Sequence, residues 1–77
     1  MKVIKRKLGR EKSWGLAHSA DNTIELHSEL KGKRLMLYLI HEALHITDPT
    51  MSETKVRKIS SRLTAVLWKE NFRKIEK

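Results

Sequence analysis

Lys33-Arg34-Leu35-Met36-Leu37-Tyr38-Leu39-Ile40-His41-Glu42-Ala43-Leu44-His45-Ile46-Thr47 is the stretch on which the fold turns. Leu35, Met36, Leu39, Ala43 and Ile46 gather on one side at about 100° per residue, the spacing of an α-helix. Leu37, Ile40 and Leu44 fall elsewhere round the wheel. A helix apolar on most of its circumference is expected to be largely buried, which makes it the central element of a chain of 77 residues. Lys31-Gly32 precedes it. Asp48-Pro49 ends it, because the residue before proline is driven away from helical geometry.

Downstream, Thr50 or Ser52 can cap a second helix running to about Phe72, and Thr50-x-x-Glu53 fits the capping-box pattern. Val56, Ile59, Leu63, Val66 and Leu67 form its expected apolar stripe. Lys55, Arg57, Lys58, Arg62, Lys69, Arg73 and Lys74 mostly lie outside it. The short connection predicts an antiparallel helix pair. Upstream the chain reads as β: Lys2 to Leu8, Trp14 to Ser19 and Thr23 to Ser28. Asp21-Asn22 joins the last two, and both residues tolerate left-handed backbone. A two-residue loop would pair Ala20 with Thr23 and His18 with Glu25. Ala17, Ile24 and Leu26 then share the core face, and Leu16, His18, Glu25 and His27 the other. The expected fold is one α+β domain over residues 1–77: a three-stranded, mostly antiparallel sheet on two antiparallel helices.

The chemistry sits in His41-Glu42-Ala43-Leu44-His45. Four residues apart on a helix, His41 and His45 lie about 40° apart and one turn along, close enough to share one ion. Neutral imidazole suits Zn²⁺, which takes nitrogen and oxygen ligands in a tetrahedral shell. Glu42, about 100° further round, would flank the metal instead of binding it. There it could take a proton from an activated water and pass it to a leaving amine.

A catalytic zinc usually has three protein ligands. Glu53, in the first turn of the second helix, is the favoured third, because an antiparallel partner begins where the first helix ends. Asp48 is the rival, sharing a face with His41 and His45 if the helix persists past Thr47. Glu70 lies about 25 Å further along the second helix than Glu53 at 1.5 Å per residue and is out of reach. His18, His27 and Tyr38 are weaker candidates. The first two suit an exposed polar face, and Tyr38 suits a partly buried helix position, although its hydroxyl could meet a substrate carbonyl.

Composition narrows the field further. There is no cysteine, which excludes disulfides and thiolate zinc sites and fits a reducing compartment. No run approaches the roughly 20 apolar residues of a membrane span. The charged start MKVIKRKLGREK has no apolar segment behind it, so a cytoplasmic protein is expected. The net charge of +8 raises the prospect of a nucleic-acid partner, against the plainer reading of a solvated basic surface.

Leu39-Ile40-His41-Glu42-Ala43-Leu44-His45, then Ser52-Glu53, then the helix with Leu63 and Leu67, resembles the gluzincin metallopeptidases. The likeness covers about residues 14 to 72 and is closest to their smallest members and to short phage-encoded metallopeptidase-like proteins. It implies one Zn²⁺ held by His41, His45 and Glu53, with Glu42 as general base, and a peptide substrate lying along an edge strand. The chain departs from larger gluzincins in having no second subdomain and no clear downstream His or Tyr for the oxyanion. Two functions therefore compete: a zinc-dependent peptidase, and a zinc-stabilised basic binding module for nucleic acid or a protein partner.

Overall fold

The computed structural model describes residues 1–8 and 14–73. Its elements are β1 (Lys2–Arg6), β2 (Gly15–His18), a single 3₁₀ turn (Ser19–Asp21), β3 (Thr23–His27), α1 (Gly32–Thr47) and α2 (Glu53–Lys69). The result is an α+β fold. Lys74 lies outside the described residues.

The sheet has the order β1-β3-β2. β2 runs antiparallel to β3, but β1 runs parallel to it, with Val3 opposite Ile24 and Lys5 opposite Leu26. The sheet is therefore mixed, not mostly antiparallel. Side-chain alternation marks a strand's two faces and is blind to its direction. The β2–β3 register also differs from expectation by two residues: His18 faces Thr23, Leu16 faces Glu25 and Ala17 faces Ile24. The connection is longer than two residues, because Ser19–Asp21 form the 3₁₀ turn and Asn22 closes it with φ 50°. A slip of two keeps every side chain on its face, so Ala17, Ile24 and Leu26 remain together.

That face carries the core. Ile24 and Leu26 are fully buried, joined by Leu30 and Leu35, and Trp14, Tyr38, Ala43 and Ile46 pack against them. α1 covers the sheet with one side and meets α2 with another. It is less buried than its all-round apolar sequence suggests: only Leu35 and Glu42 count as buried. A three-stranded sheet and one partner helix cannot enclose it, since a short chain buries a smaller share of its surface. Leu35, Met36 and Leu39 instead line, with Val3, Leu26 and Trp68, an apolar groove of about 310 Å³.

α2 is capped by Ser52, whose hydroxyl accepts the Lys55 N–H at 3.2 Å; Thr50 does not cap it. Its buried line is Val56, Ser60 and Thr64, one residue every turn. Leu63 and Val66 are 42% and 54% exposed, so the helix is rotated from the stripe expected. Small hydroxyl side chains allow two helices to approach closely where bulky ones would hold them apart. α2 stops at Lys69, short of Phe72. Asn71 takes up φ 64°, the left-handed geometry that closes a helix C-terminus. Among the described residues no helix is long and apolar enough to cross a membrane.

Candidate metal centre

The loop 48–52 reverses the chain between the helices, so the first turn of α2 faces the last turns of α1. This brings together the three side chains that matter. The Glu53 carboxylate lies with Oε1 2.9 Å from His41 Nε2 and Oε2 2.9 Å from His45 Nε2. The two imidazole Nε2 atoms are 3.2 Å apart. Ligand atoms of all three residues lie within 4.8 Å of one another, close enough to hold a metal ion.

The spacing suits a small tetrahedral ion. Bonds of about 2.0–2.1 Å put neighbouring ligand atoms about 3.3 Å apart along a tetrahedron's edge. The two imidazole nitrogens, 3.2 Å apart, already match such an edge, and the carboxylate lies within reach of both. Electrostatics agree: His45 lies in the last turn of α1, where the helix dipole favours a cation, and Glu53 in the first turn of α2, where it favours an anion. Arg57, one turn beyond, places Nε 3.5 Å from Glu53 Oε1, the same oxygen that meets His41.

Asp48 is not drawn in. It closes α1, its backbone N–H donating to the Leu44 carbonyl at 2.9 Å. Its carboxylate accepts the Thr50 hydroxyl at 2.6 Å and the Thr50 N–H at 3.1 Å. Those hydrogen bonds, the hydroxyl first, hold its carboxyl below the usual range. Pro49 ends the helix before Asp48 can reach the histidine face.

Glu42 occupies the position expected of a flanking base. It is only 8% exposed. Burial pushes its carboxyl above the ordinary value of 4.5, against the opposing pull of His41 and His45. Its seat is made by β2. A Cβ on Gly15 would lie 2.9 Å from Glu42 Oε2 and 3.0 Å from its Cγ, so glycine alone leaves room for the side chain there. Sequence reasoning missed Gly15. The available signal was an isolated glycine in a strand, which often marks a close approach.

A cleft of about 410 Å³ opens beside these groups, lined by Trp14, Gly15, Tyr38, His41, Glu42 and Glu53, with Arg57 at its edge. Tyr38 packs on the core, its ring 6.4 Å from that of His41. The hairpin histidines stand apart from the centre. His18 is exposed and bonds Glu25 at 3.2 Å, a diagonal neighbour in the observed register. Arg6 grips the same carboxylate at 2.9 and 3.1 Å, and Arg6 and then His18 hold it below the usual range. His27 packs against Trp14 in a tilted arrangement with centroids 5.0 Å apart and accepts the Glu29 N–H on Nδ1 at 3.1 Å. Both histidines are thus accounted for by the sheet's own structure. Comparison with models of protein families, with curated proteins and with solved structures finds no match, so the function is argued from this geometry.

Proposed function

We propose that this chain is a zinc-dependent, gluzincin-like metallopeptidase, holding one Zn²⁺ through His41, His45 and Glu53 and using Glu42 as general base. The observation that carries the reading is the convergence of those three ligands beside a buried carboxylate at the wall of an open cleft. Two imidazoles and one carboxylate are a donor set that zinc favours, and three protein ligands leave a position for chemistry. Zinc would supply there a Lewis acid that polarises a peptide carbonyl and acidifies a water.

The rest falls to the side chains. Glu42 takes the proton of the attacking water on its carboxylate and delivers it to the leaving nitrogen. Its burial favours a carboxyl that can carry that proton between the two steps. Arg57 meets the same Glu53 oxygen as His41. β2 is an edge strand in the order β1-β3-β2, and its Gly15 end lines the cleft. A strand at the end of a sheet's order can take an extended peptide alongside it, which favours peptides over other carbonyl substrates.

Metal analysis tests the ligand set. The wild-type chain should bind about one zinc. His45→Ala and Glu53→Ala should each lose it, while Asp48→Ala should keep it. Zinc retained by Glu53→Ala would overturn the assignment. Cleavage of a peptide library by the zinc-loaded protein tests the activity, and full zinc occupancy with no cleavage would count against a peptidase.

Gly15→Ala separates the metal from the base. The nearest atoms to the new methyl would all belong to Glu42, so it would displace that carboxyl group first. Misplacing a catalytic group by about 1 Å costs on the order of 10²-fold in rate. Cleavage should fall by that order while zinc content stays at the wild-type level.

A further inference from the structure

The outward face of α2 carries charge of a single sign. Lys55, Lys58, Arg62 and Lys69 are all exposed. At about 100° per residue they fall within roughly 60° of arc, and at 1.5 Å per residue they extend for about 21 Å. This face is opposite the line Val56, Ser60 and Thr64 that packs inward. Between Glu53 and Glu70 the helix has no acidic residue. Its other two basic neighbours are occupied elsewhere: Arg57 with Glu53, and Arg73 with the Trp68 ring, 3.9 Å from the centroid. Lys55 lies in the field of Asp48.

An ordinary solvated helix face mixes its charges, because opposite signs three or four residues apart stabilise a helix and like signs destabilise it. Here Lys55 and Lys58, and Lys58 and Arg62, are like-charged neighbours at those spacings. A polyanion laid along the stripe relieves that repulsion. We infer that this face of α2 binds the phosphate backbone of double-stranded nucleic acid, without sequence preference, as a function separate from the metal centre.

Two observations point to this partner. The stripe offers four cationic groups, the usual partners of phosphate oxygens, and no Asn, Gln, Asp or Glu. The stripe has no aromatic ring, and single strands are held by stacking as well as charge; Trp68 is already covered by Arg73. Leu63 and Val66 beside the stripe are also exposed, which makes an anionic membrane surface the rival partner.

Binding of a labelled 20-base-pair DNA duplex, followed by fluorescence anisotropy as salt rises from 50 to 200 mM, tests the proposal on the full chain. With four phosphate contacts, log K should fall against log salt with a slope of about −3.6. Lys58→Ala with Arg62→Ala should bring the slope to about −1.8, with zinc content and melting curve unchanged. Lys2→Ala with Lys31→Ala removes the same charge off the helix and should leave the slope at its original value. Equal loss in both double variants would reduce the effect to net charge and overturn the stripe, as would binding indifferent to salt. Tighter binding to vesicles rich in anionic lipid than to the duplex would assign the face to a membrane instead.

Discussion

Saturating zinc is expected to raise the melting temperature of this chain by roughly 10–20 °C over the EDTA-treated protein. A ligand at about 100 times its Kd stabilises the folded state by about 2.7 kcal/mol, and a domain of this size shifts by about 4–8 °C per kcal/mol. The effect should be large because the apolar core is small, with six buried hydrophobic residues among those described: Leu8, Ile24, Leu26, Leu30, Leu35 and Val56. Small domains commonly rely on a metal to make up such a shortfall. The ion would also tie α2 to α1 at the ends nearest their connecting loop. In His45→Ala the zinc-dependent increment should vanish. Identical calorimetric melts with and without EDTA, on protein shown to carry zinc, would refute a stabilising metal.

The second large effect belongs to Glu42. Glu42→Gln should lower peptide cleavage by about 10²–10⁴-fold, the usual contribution of a positioned general base, with zinc occupancy at the wild-type level. The amide fits the same seat against Gly15 but cannot accept the proton. Stability should move the other way. Burial raises the folded-state carboxyl above 4.5, so the folded protein favours the protonated form. That contribution is fully present below the unfolded pKa and is lost as pH rises through the folded one. At neutral pH the ionised, buried carboxylate is therefore a cost. In the metal-free protein Glu42→Gln should melt higher than wild type at pH 7, and the gap should close below about pH 4. A wild-type rate of cleavage in Glu42→Gln would exclude this residue as the base.

The parts of the centre that a sequence can display are those governed by helical periodicity. His41 and His45 share a face because of their spacing, and Glu53 follows from a short loop that can only reverse the chain. Other features depend on partners distant in the chain. β1 lies parallel to β3, a direction that alternating side chains do not encode. The hairpin register followed the 3₁₀ turn at Ser19–Asp21, which the sequence does not separate from a tighter loop. α2 buries Ser60 and Thr64 and leaves Leu63 and Val66 exposed. The small residues suit the close line of contact with α1, and hydrophobicity alone places the buried side a part-turn away, with Val56 shared by both. An isolated glycine in a strand marks Gly15 as a point of close approach, but not that the arriving group is Glu42 from another element.

The placement of Gly15 has a consequence for how the site is put together. The candidate metal ligands lie within one helical hairpin, between residues 41 and 53, and bringing together groups so close in sequence costs little loop-closure entropy. The setting of Glu42 needs β2, which belongs to the sheet and must come in from the far end of the chain. On the proposed reading, the ion's site is local in sequence, whereas the base's setting depends on contacts between elements distant in the chain.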